Sequence, residues 1–273
     1  LEGRVRQKLE SYPELRAENA KALLAAFGAP FVEAGEILQG DCLELMKDIP
    51  DGSVDMILAD LPYGITACKW DTIIPFEPLW EQYKRIIKPN GAIVLTASQP
   101  FTSALVMSNP KMFKYEWIWD KHMATGFLDA KKRPLKVHEN ILVFYKKLPK
   151  YNPIFTQGSP YTRPKPTKLF QGYGQDLKQV ETTNASGKRY PKTIIDISNA
   201  KQKGKIHPTQ KPLALFEYLI KTYTNEGDLV LDNVAGSGTT GVACQNLNRD
   251  FILIEKEPEY VEIIKQRLEL NKE

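Results

Sequence analysis

The segment that most constrains this chain is Leu229-Val230-Leu231-Asp232-Asn233-Val234-Ala235-Gly236-Ser237-Gly238-Thr239-Thr240-Gly241. It reads as a buried strand, a glycine-rich turn and the start of a helix. Glycines at 236 and 238 let the backbone approach a ligand without a Cβ clash, and the helix that follows presents free N–H groups. A further strand, Phe251–Glu255, places an acidic side chain 23 residues beyond Asp232, where it can accept hydrogen bonds from ribose hydroxyls. The spacing fits a nucleoside-containing cofactor in a Rossmann-like sheet. The three-glycine dinucleotide pattern is incomplete and no P-loop lysine follows the glycines, which weakens nicotinamide and ATP readings. Taken alone, the segment also fits a tight strand–helix turn whose glycines serve packing.

The rest of the chain alternates short apolar runs with helical patterns, which predicts an α/β fold with a mostly parallel sheet. Strands are expected at Glu36–Gln39, Val54–Ala59, Ala92–Thr96, Tyr115–Trp119, Glu139–Tyr145 and Asp228–Asp232. Helices are expected at Cys42–Lys47, Pro78–Ile87, Phe101–Met107, Pro212–Tyr223, Gly238–Leu247 and Glu259–Leu270, with a turn at Pro89-Asn90-Gly91. Residues 1–28 read as two short helices divided by Pro13, and Pro149 to Gly204 as a long irregular stretch.

Charge is segregated. Lys121–Pro212 holds 19 Lys/Arg against 5 Asp/Glu, whereas the remainder holds 18 against 28. A basic third within an acidic chain fits either a polyanion-binding surface or a solvated, loop-rich one. The three cysteines, Cys42, Cys68 and Cys244, form no C-x-x-C pair. This argues against a disulfide scaffold or zinc ribbon and for a reducing, cytosolic setting. No apolar run reaches the length of a membrane span. His122 and His138 are not at metal-ligand spacing, and no metal is expected. The Trp117-Ile118-Trp119 alternation reads as strand packing, and Trp70 as core or pocket lining.

Asp60-Leu61-Pro62-Tyr63-Gly64 follows a buried strand, at the sheet edge where α/β folds bind ligands. A carboxylate, a Pro-fixed backbone and an aromatic ring suit a planar heterocycle bearing an amino group. Tyr63 would stack on it, while the Asp60 side chain and the Leu61 carbonyl accept its two amino protons. By itself the segment reads better as an ordinary Pro turn with an Asp cap.

Together and in this order, these motifs resemble the amino-methylating DNA methyltransferases of the β class, most closely the small phage-type adenine methylases. That family places a D-P-P-Y element first, a target-recognition region next and an F-x-G-x-G element last. The matching segments here are Asp60–Tyr63, the basic stretch from Met123 to Lys205, and Val234–Gly238, supported by Gly40-Asp41-Cys42 and His207-Pro208-Thr209-Gln210-Lys211-Pro212. Leu61 departs from the family's first proline and Val234 from its phenylalanine; neither change removes a required functional group.

The resemblance implies a Rossmann-like, S-adenosylmethionine-dependent sheet with helices on both faces and an inserted basic recognition region. The expected organisation is a helical extension over 1–30, a catalytic half over 31–120, a recognition region over 121–205 that includes core strand 139–145, and a cofactor half over 206–273. It implies methyl transfer to adenine N6 in flipped-out double-stranded DNA, with Asp60, Leu61, Pro62 and Tyr63 catalytic. S-adenosylmethionine would be held by Asp41, Cys42, Asp60, His207, Thr209, Gln210, Lys211, Asp232, Val234, Gly236, Ser237, Gly238, Thr239, Thr240 and Glu255. DNA would be held by Lys131, Lys132, Arg133, Arg163, Lys165, Lys168, Lys188 and Arg189. A homodimer, a companion restriction enzyme and a bacterial or phage-encoded cytoplasmic protein are consistent with it. Cytosine-N4 transfer is the chemical neighbour, and a catalytically silent DNA-binding regulator the alternative from another class. Cytosine-C5 chemistry is disfavoured because no cysteine follows a proline, and glutamine methylation because it would need the opposite motif order.

Overall fold

A computed structural model describes residues 35–64, 71–163, 182–199 and 210–270. The expected helices in 1–28 and Trp70 lie outside these residues. In chain order the main elements are β1 (Glu36–Gln39), α1 (Cys42–Leu45), β2 (Val54–Ala59), α2 (Phe76–Ile86), β3 (Ile87–Ala97), α3 (Phe101–Ser108), β4 (Phe113–Thr125) and β5 (Lys136–Phe144). Four short strands follow: β6 (Thr156–Gln157), β7 (Tyr161–Arg163), β8 (Thr182–Asn184) and β9 (Lys188–Arg189). The chain then forms β10 (Ile194–Asp196), α4 (Leu213–Tyr223), β11 (Leu229–Asp232), α5 (Thr239–Asn246), β12 (Asp250–Glu255) and α6 (Pro258–Leu270).

Eight strands form one sheet in the order β1-β12-β11-β2-β3-β5-β4-β10. Only β5 runs against its neighbours, β3 and β4; every other pairing in this sheet is parallel. Alternate residues of each strand feed opposite cores, as period-two geometry requires. Ile57, Leu95, Leu231 and Ile254 pack with α1, α2 and α3, whereas Met56, Val94, Val230 and Leu253 pack with α4, α5 and α6. β2 is buried at every residue, which explains its continuous apolar reading. On α2, Leu79, Trp80, Tyr83 and Ile86 recur at helical spacing and form its buried stripe. Trp117 and Trp119 are both buried on the same sheet face, so their alternation is strand packing.

Two expectations are corrected. The Pro89-Asn90-Gly91 signal does not separate α2 from a new strand. β3 begins at Ile87, and its pairing jumps from Val54–Ile87 to Met56–Ala92, so Lys88–Gly91 bulge out of the ladder. Pro89 has no N–H to give to a ladder. A Cβ on Gly91 would lie 2.8 Å from the Asp55 carbonyl oxygen, so only glycine lets the strand return to register. Second, the stretch after Pro149 is not wholly irregular in its described parts. β6 pairs with β9 and β7 with β8 as small antiparallel ladders, and β10 joins the edge of the main sheet beside β4.

Because the strands around β11 are parallel, β1, β2, β11 and β12 all end on one edge. Asp41, Asp60, Asp232 and Glu255 lie at or just beyond those ends.

Candidate active site

That edge opens into a cavity of about 1010 Å³. Asp41 and Glu255 line it on one side, Asp60 and Tyr63 near its middle, and Lys121 and Lys136 toward β4 and β5. This is the upper end of the size range for small-molecule sites.

At the middle, three donors converge on the Asp60 carboxylate. Oδ1 accepts from the Tyr63 hydroxyl (2.7 Å) and from the Thr96 hydroxyl, and Oδ2 from the Lys211 ammonium (2.6 Å). Phe101 stacks on the Tyr63 ring with centroids 5.2 Å apart, fixing its plane. Burial, then the nearby Asp60 and Glu139 carboxylates, push the Tyr63 phenol well above its ordinary range, so it remains a hydroxyl donor. Lys211 is itself buried. Burial alone would favour the neutral amine, but the carboxylates of Asp60 and Glu139 outweigh it and raise its pKa. Glu139 bridges two lysines, with Oε1 3.1 Å from Lys121 Nζ and Oε2 3.4 Å from Lys211 Nζ.

The other side is built by the strand-end turns. Asp41 caps α1 by accepting from the Leu43 N–H (2.9 Å), and the adjoining Cys42 thiol is buried and pushed up by that burial. Asp232 accepts from the Val234 N–H (3.1 Å) and from the Thr240 hydroxyl. Burial raises its carboxyl to about 7. Glu255 accepts from the N–H groups of Gly236 (2.7 Å) and Glu257 (2.9 Å), which ties the glycine turn to the end of β12; burial raises this carboxyl too. Gly238 has φ +76°, and a Cβ there would meet Ile264 side-chain atoms at 3.0 Å. The turn therefore needs glycine for both conformation and space.

Of the residues anticipated at the catalytic element, Asp60, Leu61, Pro62 and Tyr63 all line the cavity. So do Asp41, Cys42, Gln210, Lys211, Asp232, Val234, Gly236, Ser237, Thr239 and Glu255 from the cofactor set. Gly238 and Thr240 stand behind the lining: the first shapes the turn, and the second holds Asp232. Lys211, expected in the cofactor set, forms an ion pair with Asp60, which belongs to both expected sets. His207, Thr209, Lys165 and Lys168 lie outside the described residues.

Among the DNA candidates, Lys131, Lys132 and Arg133 are exposed on the β4–β5 connection, where Arg133 reaches the cavity lining. Lys188 is exposed near the Phe155 ring. Arg163 and Arg189 both lie over the Tyr161 ring, at 5.0 and 4.6 Å. Arg189 also donates to the Gly187 and Ser159 carbonyls, so its guanidinium holds the small ladders together. His122 pairs with Asp196, and His138 is exposed on β5. Among the described residues, no group of three or more His, Cys, Asp or Glu could hold a metal ion, and no helix is long and apolar enough to cross a membrane.

Sequence reading missed Thr96, Glu139 and Asn233. Asn233 Oδ1 accepts from the Tyr83 hydroxyl (2.6 Å), while its buried Nδ2 has no hydrogen-bond partner beside the cavity. Its place directly after a strand-ending aspartate was the available signal. Thr96 and Glu139 carried none, being ordinary residues of strand-like runs.

A family model described as DNA methylase matches residues 54–266. The DNA adenine methyltransferase YhdJ of Escherichia coli (strain K12) is 31% identical, over 87% of this chain and 84% of its own length. The Type II methyltransferase M2.MboI of Moraxella bovis is 30% identical, over 87% of this chain and 90% of its own. The solved M1.HpyAVI–SAM complex is 30% identical with a TM-score of 0.57, covering 85% of this chain and 99% of that one. PvuII DNA methyltransferase (cytosine-N4-specific), at 18% identity and TM-score 0.62, covers 86% of each chain and shares the fold.

Proposed function

Because the chain belongs to the DNA methylase family whose model spans residues 54–266, we propose that it transfers a methyl group from S-adenosylmethionine to N6 of adenine in double-stranded DNA. The observation that carries this reading is that the Asp60–Tyr63 element, the glycine turn at Gly236 and Ser237, and Glu255 line one continuous cavity. The adenine assignment leans on the likeness to a named adenine methyltransferase at 31% identity. The cytosine-N4-specific neighbour, at 18%, shares a fold and carries no preference of base.

The donor set fits the cofactor. Its ribose hydroxyls would meet the Glu255 carboxylate, its adenine the Asp41–Leu43 corner, and its methionine part the strand-end turn. The unpaired, buried Nδ2 of Asn233 beside that turn gives a further donor to a polar ligand. When bound, the group supplies an electrophilic methyl on a sulfonium.

The chain's own residues do the rest. Adenine's exocyclic nitrogen is a poor nucleophile because its lone pair is delocalised into the ring. Asp60 and the Leu61 carbonyl would each accept one amino proton, which favours a pyramidal nitrogen, localises that pair and stabilises the positive charge that develops. Pro62 limits backbone motion at the accepting carbonyl. Lys211 holds Asp60 Oδ2 at 2.6 Å and so orients the carboxylate. Position and electrostatics suffice, and no strong general base is required before transfer.

A base inside a duplex cannot reach this cavity, so the target is flipped out, at a cost of a few kcal/mol of stacking and pairing. Tyr63 stacking offsets part of this, on the order of 1–3 kcal/mol. Lysines 131 and 132 would hold phosphates. A homodimer and a companion restriction enzyme complete the proposal, tested by sedimentation and by whether host extract cleaves unmethylated DNA but spares DNA methylated by this protein.

The deciding test incubates protein, isotope-labelled S-adenosylmethionine and unmethylated genomic DNA, followed by nucleoside mass spectrometry and sequencing. Label in N6-methyladenine is expected. Label in N4-methylcytosine overturns the base assignment, and absence of label overturns the enzymatic reading.

A further inference from the structure

The connection between β4 and β5 carries an apolar tip in water. Leu128 is 87% exposed and Phe127 beside it 75%. Met123, Leu135 and Val137, on the arms of the same hairpin, are also exposed. Leaving such side chains in solvent forgoes the burial that normally rewards them, and a contiguous exposed apolar group marks an interaction site.

The tip is built rather than loose. Gly126 takes φ +84° and starts a 3₁₀ turn over Phe127–Asp129. The Asp129 N–H donates to the Gly126 carbonyl (3.0 Å), the Ala130 N–H to Phe127 (3.2 Å), and the Lys132 and Arg133 N–H groups to Asp129 (2.8 and 3.0 Å). The Arg133 guanidinium pairs with the Asp129 carboxylate across the turn. The two apolar side chains are thus displayed on an ordered knuckle.

Its position and charge select the partner. Met123, Thr125, Arg133 and Lys136 of the same hairpin line the cavity that contains Asp60, so the tip stands at the mouth of the catalytic site. Lys131 and Lys132 follow the apolar pair within a few residues and are exposed. A duplex offers the complementary pattern, phosphates outside and an apolar base stack inside. Apolar wedges inserted between base steps are a known way of opening a duplex.

We propose that Phe127 and Leu128 form a wedge that enters the duplex beside the target adenine and occupies the space it vacates on flipping. The proposal rests on reading the cavity as a flipped-base pocket and adds to it the element that makes flipping favourable. Lys131 and Lys132 grip the flanking phosphates. A wedge residue acts on the opening of the base pair, whereas a phosphate contact acts on binding of either paired or unpaired DNA.

The test measures single-turnover methylation by the full chain on duplexes carrying the site identified from genomic DNA. The target adenine is set either opposite thymine or opposite an abasic nucleotide, which removes the pairing to be broken. In the Phe127→Ala/Leu128→Ala variant the rate on the paired duplex falls at least about tenfold, and the rate on the abasic duplex stays within about threefold of the unmodified protein. A Phe127→Leu/Leu128→Phe exchange keeps apolar volume at the tip and retains the paired-duplex rate. Lys131→Ala/Lys132→Ala slows both substrates and flattens the salt dependence.

An unchanged paired-duplex rate in the double alanine variant overturns the wedge. Equal loss on both substrates also overturns it, and when accompanied by a shift from dimer to monomer in sedimentation it assigns the patch to a second copy of the chain. Unmodified protein inactive on both duplexes refutes the methylase reading itself, and the wedge with it.

Discussion

Replacing Lys211 by methionine removes one cation from a nearly closed cluster of four charges. Lys211 Nζ lies 2.6 Å from Asp60 Oδ2 and 3.4 Å from Glu139 Oε2, and the side chains are 10%, 23% and 16% exposed respectively. Lys121, 3.1 Å from Glu139 Oε1, is the other paired cation, and Lys136 lies close enough to feel both. Methionine matches the length of the lysine stem, so the dominant effect is electrostatic. Asp60 would then lose its only ionic partner among the described residues, while Glu139 keeps Lys121 and the nearby Lys136. Breaking a buried pair from one side costs about 3–5 kcal/mol. The lower end applies here, because Asp60 faces the cavity and Lys121 stays on Glu139. About 3 kcal/mol in a chain of this size lowers the melting temperature by roughly 6–12 °C. Thermal denaturation at pH 7, followed by circular dichroism without added ligand, measures it. If the cost is excess negative charge, adding Glu139→Gln to Lys211→Met restores part of the loss, with a coupling of about 1–3 kcal/mol. A Lys211→Met melt within about 2 °C of the unmodified protein, or strict additivity of the two changes, would falsify the argument.

Three further outcomes follow from the site. Asp60→Ala abolishes methyl transfer, by at least about a hundredfold, and leaves S-adenosylmethionine affinity within a few-fold by equilibrium dialysis; loss of both together sinks the role assigned to the carboxylate. Asp232 has a folded pKa of about 7 against an ordinary 3.8, so the folded state binds the extra proton. Its contribution to stability is therefore full below about pH 4 and is lost as pH rises through 7, by up to about 4 kcal/mol. Asp232→Asn flattens that part of the urea-derived stability profile, because its Oδ1 still accepts from Val234 and its amide donates to Thr240; an unaltered slope between pH 4 and 8 rejects this. Gly238→Ala forces a side chain into φ +76° within 3.0 Å of Ile264. It costs about 2 kcal/mol by urea denaturation, and a change under about 0.5 kcal/mol contradicts the steric reading.

What the sequence disclosed and what it hid divide along a physical line. Strands β2, β11 and β12 were legible because burial on both faces, complete in β2 and broken only at the first residue of the other two, demands continuous apolar runs. The turns after them were legible because glycine, proline and a strand-ending carboxylate are local signals. A parallel sheet then carries every such turn to one edge, so Asp60 and Glu255 meet in one cavity without any local cue to their proximity. Pro89-Asn90-Gly91 misleads because a turn and a bulge draw on the same residues, and only the neighbouring strand, paired through Val54 and Met56, distinguishes them. Lys211 gave no sign of its ion pair with Asp60 for a related reason. It sits in no strand-end turn, and its contact with Asp60 spans 151 positions. The hydrogen bond between Tyr83 and Asn233, 150 positions apart, is equally non-local, although Asn233 itself follows a strand end. Phe127 and Leu128 were silent because two apolar residues in a loop have no period, and their meaning comes only from standing exposed at a cavity mouth. Groups addressed by a strand end are thus readable before folding. The groups that tune them, Lys211 and Glu139, and the tip that would deliver their substrate acquire a role only when the sheet order brings β2, β4 and β5 to a common edge.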